Sequence, residues 1–230
     1  MTILNELKRV IDLEASSIKA LSDQIDADYE KVINILLNCK GKVIITGVGK
    51  SGHVGKKMAA SFASTGTPSF FIHSTEGVHG DLGMIQQQDV VILISNSGET
   101  AEVLSLLPTL AKIGCKTIAL TSKRESTLAT NCDTSIIYHY EKEADHLGLA
   151  PTTSSTITLV IGDALAVTLS SLRNFKKEDF HLKSKKSIPM NLRYLGPLLL
   201  LLLLYYYYII IMTTHPGGKC ISNCSMTLIL

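Results

Sequence analysis

Residues 42–66, KVIITGVGKSGHVGKKMAASFASTG, join an apolar run to a helical pattern through a glycine-rich turn around Lys50. The run does not alternate between apolar and polar residues, and neither do VVILIS at 90–95 and KTIALT at 116–121. Continuous runs of this kind are typical of strands that are covered on both faces in a parallel sheet. The three segments therefore predict an α/β domain with buried parallel strands.

Strands and helices alternate on both sides of this turn. We predict strands at 42–46, 69–72, 89–94, 116–121 and 134–138, with helices at 51–65, 75–80, 100–113, 126–131 and 155–173. Two further helices, at 2–22 and 28–41, precede the first strand. Because helices that connect parallel strands cross over the faces of the sheet, this order predicts a doubly wound, flavodoxin-like, five-stranded parallel sheet flanked by helices.

Composition limits the classes of function. The chain has 230 residues, of which 46% are hydrophobic, and a net charge of +2, which suits one main folded domain. Residues before 171 carry 14 Lys and Arg against 18 acids, without a basic stripe, so we expect no nucleic-acid partner. The charged N-terminus lacks a signal-peptide core and the cysteines are scattered, which predicts a cytoplasmic protein.

The glycine turn has two interpretations. Gly47, Gly49 and Gly52 have the G-x-G-x-x-G spacing of a dinucleotide-binding turn between a strand and a helix. The second strand, however, ends at His73 and not at the acidic residue that binds a ribose in such folds. The alternative is a tight turn with a solvated lysine. Ligands of these sheets bind beyond the carboxyl ends of the strands, so the loops there are the candidate functional segments.

The loop after the third strand, ISNSGET, is a candidate phosphate site. It offers hydroxyl groups and a glycine for close backbone approach, followed by a predicted helix whose amino end favours an anion. The alternative is ordinary helix capping, with Ser97 as the N-cap and Thr100 within the first turn. Three hydroxyl groups beside a glycine favour phosphate over capping.

Three long segments carry a resemblance to a known family. They are GKSGHVGKKMAASFASTGTPSFFIHSTEGVHGDLGM, ISNSGETAEV and LGLAPTTSSTITLVIGDALAV. They resemble the sugar isomerase (SIS) domain, and most closely the arabinose 5-phosphate isomerases, over residues 40 to 182. The resemblance implies a five-stranded parallel sheet between helices, in agreement with the strand pattern.

The resemblance also implies an activity. The family interconverts D-ribulose 5-phosphate and D-arabinose 5-phosphate through an enediol, a step toward 3-deoxy-D-manno-octulosonate (Kdo) and lipopolysaccharide. It implies a small sugar-phosphate substrate, a homotetramer with shared active sites, and no cofactor. Such a reaction needs a base on the migrating proton, donors for the developing oxygen charge and an anion cradle for the phosphate.

The family motifs assign roles to particular residues. Lys50 would steady enediolate charge, while Glu102 and Glu143 would be acid/base candidates, with His79 a further catalytic candidate that also binds substrate. The remaining substrate-binding positions implied are Ser51, Gly66, Thr67, His73, Ser95, Ser97, Gly98 and Thr100. His73 would also be the ligand of an inhibitory zinc ion.

Residue chemistry alone favours plainer interpretations of these side chains. Glu102 would be an exposed acid in a first helical turn, Glu143 a solvated loop charge, and the His73 and His79 pair structural hydrogen-bonding groups.

The resemblance breaks after EDFHLK. The family continues to a His-Pro-Gly-Gly motif whose histidine is a catalytic candidate, but here Ser184 follows and the motif begins at His215. Removing residues 184–214 would restore the family pattern, so we interpret this stretch as an insertion or artefact. Its uncharged run, 194–214, would suit a membrane anchor by composition, but homopolymer blocks make a membrane role the less favoured interpretation.

The predicted organisation is therefore N-terminal helices over 1–40 that pack on the core, a SIS domain over 41–183 and an atypical tail over 184–230, without the family's regulatory CBS domains. Two alternatives to the isomerase remain. One is a noncatalytic SIS sensor of sugar phosphates, and the other is an isomerase of a different sugar phosphate. Only about 40 residues precede the first strand, fewer than a DNA-binding helix-turn-helix regulator would need, and this favours the enzyme.

Overall fold

A computed structural model describes residues 2–179. Five strands form one sheet in the order β2-β1-β3-β4-β5, and every neighbouring pair is parallel. The strands are β1 Val43–Gly47, β2 Ser69–His73, β3 Val90–Ile94, β4 Lys116–Thr121 and β5 Thr134–Ile137. The predicted doubly wound five-stranded parallel sheet is confirmed, and each strand boundary lies within one residue of its predicted position.

Helices connect the strands and cover both faces. They are α1 Ile3–Ser22, α2 Ala27–Leu37, α3 Gly49–Ser64, α4 Ser74–Val78, α5 Ala101–Leu104, α6 Leu107–Ile113, α7 Thr127–Asn131 and α8 Thr153–Leu172, with a short 3-10 helix at Asp81–Met84. The prediction of one helix over 100–113 was wrong, because the chain forms two helices there. Pro108 lies at the start of α6, where its missing N–H costs no hydrogen bond, and a new helix begins around it.

The central strands are buried on both faces, as their apolar runs predict. Every residue of β1 and β3 is buried. Because successive side chains point to opposite faces, Val43 and Ile45 join the core formed with α2, α3 and α8, whereas Ile44 joins the core on the other face. Leu36 of α2 is fully buried in the first of these cores, so the N-terminal helices form part of it.

The helices α3 and α8 pack closely beside each other on one face of the sheet. A side chain at Gly162 would place its Cβ 2.6 Å from Met58 Cε, so the absence of one permits this approach. The Lys57 ammonium pairs with the Asp163 carboxylate between the same two helices. By length and composition alone α8 could cross a membrane, as the core helices of soluble proteins also could.

The chain divides into two units, Met1–Ser184 and Lys185–Leu230, and all described residues belong to the first. The predicted tail over 184–230, the predicted catalytic candidate His215 and the uncharged run at 194–214 lie outside the described residues.

Candidate functional site

The loops that carry most of the predicted site residues open at one edge of the sheet. Gly47 at the end of β1 pairs in register with His73 of β2 and Ile94 of β3, so the segments after these strands leave the sheet side by side. Thr46 and Ser74 connect the first two segments through a hydrogen bond of 3.0 Å between their hydroxyl groups. This edge lies at the carboxyl ends of the strands, where ligands of doubly wound sheets bind.

The glycine turn brings α3 close to the end of β1. A Cβ at Gly52 would lie 3.1 Å from the Gly47 carbonyl oxygen, which explains glycine at this position. Gly49 begins α3 with a left-handed φ of 58°, and the exposed Lys50 follows in the first turn. The Lys50 ammonium has no hydrogen-bond or ion-pair partner among residues 2–179. It is therefore available to a bound anion or oxyanion.

The serine loop, residues 95–100, is held by its own hydroxyl groups. The buried Ser95 Oγ lies 2.8 Å from Thr100 Oγ1 and accepts a hydrogen bond from the Gly98 amide. Gly98 has φ 69°, and a Cβ there would lie 2.1 Å from Ser126 Oγ, so only glycine fits. The Ser97 side chain is exposed and accepts from the Glu99 amide.

For the serine loop, the less favoured alternative of Ser97 as an N-cap and the prediction of a long helix after the loop were both wrong. The N-cap of α5 is Thr100, not Ser97, because the chain between them forms a hydroxyl-bonded turn before the helix begins at Ala101. The helix is four residues long, so its dipole is smaller than that of the long helix expected over 100–113. Any anion binding here would therefore depend more on hydroxyl and amide donors than on a helix terminus.

Glu143 is a well-ordered acceptor and not the solvated charge that residue chemistry alone suggested. Its carboxylate accepts four hydrogen bonds, from the Tyr140 hydroxyl, the Thr152 amide, the Thr152 hydroxyl and the Ser154 amide. Burial alone would raise its pKa, but the hydrogen bonds from Ser154 and Thr152 outweigh burial and hold the pKa below its ordinary value. Glu143 is therefore an ionised carboxylate at neutral pH that caps the amino end of α8.

Asn96 and two tyrosines connect the serine loop to Glu143, and sequence reasoning missed all three. Asn96 Nδ2 donates to the Tyr140 hydroxyl over 2.9 Å, and Tyr140 donates to Glu143 Oε1 over 3.1 Å. The Tyr138 hydroxyl donates to Asn96 Oδ1 over 3.0 Å. Asparagine has no distinctive spacing signal here, and only a prediction of the end of β5 beside the end of β3 would have suggested these contacts.

Arg9 of α1 and Gln24, which follows this helix, hold the loop that carries Glu143. Arg9 Nη2 donates to the Ala144 carbonyl over 2.6 Å while its guanidinium pairs with Glu6. Gln24 both accepts from the His139 amide and donates to the His139 carbonyl. The loop is therefore fixed at both sides of Glu143 by contacts from α1 and from the residue Gln24 that follows it.

Two of the pockets among these segments share Asn96 in their lining. One, of about 410 Å³, is lined by Ser97 of the serine loop together with Glu143, Lys123 and Tyr140. The other, of about 40 Å³, is lined by Ser51 of α3, Asn96 and Ser154 of α8. The structure therefore brings Ser51, the serine loop and Glu143 to one region.

His73 ends β2, His79 follows α4 and Glu102 lies in α5, and none of the three lines either of these two pockets. His73 caps α4 by accepting from the Thr75 amide over 3.4 Å, which is the structural role that residue chemistry alone favoured. His79 and Glu102 are exposed, and Glu102 lies in the first turn of α5. Within residues 2–179 no group of three or more potential ligands is arranged for a metal ion, so zinc binding at His73 stays a prediction.

Gly66 and Thr67 lie at the opposite edge of the sheet from these residues. They precede β2 and therefore stand at the amino edge of the parallel sheet, opposite Lys50. The buried Thr67 hydroxyl accepts from Arg173, and a Cβ at Gly66 would lie 2.6 Å from the Phe175 ring. Within one chain these residues do not join the site, and their predicted contact with substrate stays a prediction that requires a second copy.

The chain matches known proteins over the described fold. Residues 36–168 match the SIS domain model. The chain is 49% identical over 179 residues to arabinose 5-phosphate isomerase KpsF of Escherichia coli, covering 77% of this chain and 56% of that protein. It is 50% identical over 175 residues to arabinose 5-phosphate isomerase KdsD of E. coli K12, covering 76% of this chain and 53% of that protein. The chain thus spans about half the length of these curated relatives.

A comparison with a solved structure also shows similarity in both sequence and fold. The structure of an E. coli CFT073 protein in complex with arabinose 5-phosphate is 49% identical and superposes with a TM-score of 0.77, covering 79% of this chain and 98% of that chain. The sequence resemblance to the sugar isomerase domain is confirmed, since the matched region exceeds half of the chain. The chain belongs to the SIS domain family.

Proposed function

We propose that this chain is an aldose/ketose isomerase that interconverts D-ribulose 5-phosphate and D-arabinose 5-phosphate. The observation that carries the proposal is the ionised, half-buried Glu143 carboxylate that lines one pocket with Ser97 of the serine loop. A base beside an anion-binding loop is the arrangement that proton transfer on a sugar phosphate requires. The relatives that carry the name of this activity support the choice of substrate.

The reaction moves one proton between adjoining carbons. A carboxylate removes the proton from C2 of the open-chain aldose, the electron pair forms the C1=C2 double bond, and the carbonyl oxygen O1 takes up a proton, which gives the enediol. Loss of the proton from O2, which becomes the carbonyl oxygen, and return of a proton to C1 then give the ketose. We assign Glu143 and Glu102 to these acid/base steps and the exposed Lys50 ammonium to the oxygen charge that develops.

We assign phosphate binding to the serine loop, with Ser51 beside it, and contact with the sugar to His73 and His79. A histidine suits the opening of a sugar ring because its ordinary pKa lies close to working pH. His215, which lies outside the described residues, keeps its predicted role as a further catalytic group.

The purified full chain is expected to convert D-ribulose 5-phosphate into D-arabinose 5-phosphate, and in D2O to incorporate deuterium at C2 to the extent that the proton on the base exchanges with solvent before it is returned. NMR of the sugar carbons measures both results. Unphosphorylated D-arabinose is the control, and it should not react because the anion cradle would be empty. Binding of the sugar phosphate without turnover would instead indicate a sensor, and turnover of only a hexulose phosphate would indicate the other isomerase.

We also propose that the chain acts in the cytoplasm as a homotetramer with shared sites. Exposed apolar residues on one side of α1, such as Ile3 and Leu4, would be covered by another copy, and a second copy would bring Gly66 and Thr67 to the site. Light scattering measures the size of the assembly, and a monomer at micromolar concentration would contradict the tetramer.

The proposed role in Kdo synthesis is tested by expressing the chain in a strain that lacks this activity, where lipopolysaccharide should be restored. Cell fractionation tests the compartment.

A further inference from the structure

The Tyr140 hydroxyl has one proton, and its neighbours determine where that proton points. Asn96 Nδ2 can only donate, so the Tyr140 oxygen accepts from it over 2.9 Å. The hydroxyl proton is then directed to Glu143 Oε1, 3.1 Å away. Tyr140 is therefore a fixed donor to one oxygen of the carboxylate.

The Asn96 amide is itself held in one orientation. Its Oδ1 accepts from the buried Tyr138 hydroxyl over 3.0 Å, and that hydroxyl accepts from Thr158 of α8 over 3.3 Å. The Tyr138 and Tyr140 rings stack with their centroids 6.3 Å apart. Because the ionised Glu143 carboxylate can only accept, the Tyr140 proton is directed to it, and the Tyr140 oxygen must therefore accept from the NH2 group of Asn96. The amide and the chain of hydrogen bonds thus have one direction.

We propose that Asn96 and Tyr140 are positioning residues that hold the Glu143 carboxylate and couple it to the serine loop. The inference rests on the proposed isomerase function, since it assigns the carboxylate a proton to move. Asn96 lies between Ser95 and Ser97, so a phosphate bound by this loop would stand at a set distance from the base. In this way the free energy of binding the phosphate, which is remote from the reaction, would serve to place the reacting carbon correctly against the Glu143 carboxylate.

The pH dependence distinguishes positioning from simple packing. A phenol that donates to a carboxylate favours its ionised form, so loss of the Tyr140 hydroxyl should raise the pKa of Glu143. Other groups that bear on this pKa are left unchanged by the variants below. The titratable or charged side chains around Glu143, besides Tyr140, are Lys123, Tyr138, His139, Glu141 and Lys142, and Arg9 contacts the adjoining Ala144.

Tyr140→Phe is expected to lower kcat about tenfold with KM changed less than about twofold, because the base is misplaced while the phosphate contacts remain. The acid limb of the kcat profile should move to higher pH by about one unit, as expected for loss of one hydrogen bond to a charged group. Asn96→Leu, of similar size, should shift both quantities in the same direction but less. In the double variant the Asn96 change should add little to the Tyr140 change, because Asn96 acts through Tyr140.

Tyr29→Phe is the matched control. Its hydroxyl is buried and has no hydrogen-bond partner among residues 2–179, so its removal should leave kcat and the acid limb unchanged. A carbon-13 NMR titration of the Glu143 carboxyl, assigned by its loss in Glu143→Gln, measures the same pKa without substrate.

The outcomes separate the two proposals. If the wild-type chain turns over no sugar phosphate, the isomerase proposal fails, while the NMR titration still decides whether Tyr140 and Asn96 control the carboxylate. The positioning proposal is overturned if Tyr140→Phe keeps the wild-type kcat and the wild-type Glu143 pKa. It is equally overturned if the variant only lowers the melting temperature, with no shift in pH and with effects that add to those of Asn96→Leu.

Discussion

Lys50→Met is expected to lower kcat/KM by about a thousandfold, the upper range for loss of one preorganised group that stabilises an oxyanion. Methionine keeps most of the length of the side chain but removes the positive charge that we propose stabilises the enediolate. Lys50 is exposed and makes no described polar contact, so the free energy of unfolding should not change. Steady-state kinetics and urea denaturation measure the two quantities.

Lys56→Met on the same helix is the control for this prediction. Lys56 is also exposed, and its ammonium lies 5.6 Å from the centre of the Phe71 ring, a contact that has no part in the proposed chemistry. Activity should therefore be retained in this variant. Near-normal turnover by Lys50→Met would refute the role of the ammonium, and equal losses in both variants would indicate a general effect of charge.

Glu143→Gln is expected to lower kcat by a factor of about a hundred to ten thousand, the range found for general acid–base groups. The amide has nearly the same shape but cannot accept a proton at neutral pH. Glu141→Gln is the control. That neighbour lines the same pocket but is exposed, and among residues 2–179 its carboxylate makes only a long contact, 3.9 Å from the Lys142 ammonium. Comparable losses in the two variants would contradict a specific role for Glu143.

The same substitution should change how stability depends on pH. The pKa of Glu143 is lower in the folded chain than its ordinary value of 4.5, so its contribution to stability is fully present above that value. The contribution is lost as the pH falls through the folded pKa. The melting temperature of Glu143→Gln should therefore fall less than that of the wild type when the pH is lowered from neutral to about pH 3. If the melting temperatures of the two proteins fell in parallel over that range, the hydrogen bonds would not lower the pKa of the Glu143 carboxylate.

The fold could be predicted because its signals are local. Runs such as 90–94 contain only large apolar residues, which suit a strand buried on both faces, and the glycine turn at 47–52 marks a strand that passes directly into a helix. The break within 100–113 was missed because two signals there oppose each other, and the apolar periodicity reports only one of them. The apolar spacing continues through Ser105 and Leu106, while Pro108 favours the start of a new helix.

The site was less predictable from the residues alone. Lys50 and Glu143 received roles only through the family resemblance, since an exposed lysine and a loop acid carry no distinctive spacing. The state of Glu143 depends on amides at the start of α8, nine and eleven positions further along the chain. Asn96 meets Tyr140 across 44 positions, so their contact depends on the order of strands in the sheet and not on any local pattern.

The anchoring of the loop around Glu143 by Arg9 and Gln24 has a consequence for how the sequence of such a protein can change. Arg9 and Gln24 bind main-chain carbonyl and amide groups of that loop, and main-chain groups are the same whatever side chains it carries. Its exposed positions, such as Leu147 and Leu149, can therefore be exchanged while the anchor points persist. Selection, natural or in the laboratory, can vary these positions while Arg9 and Gln24 preserve the backbone that presents the base.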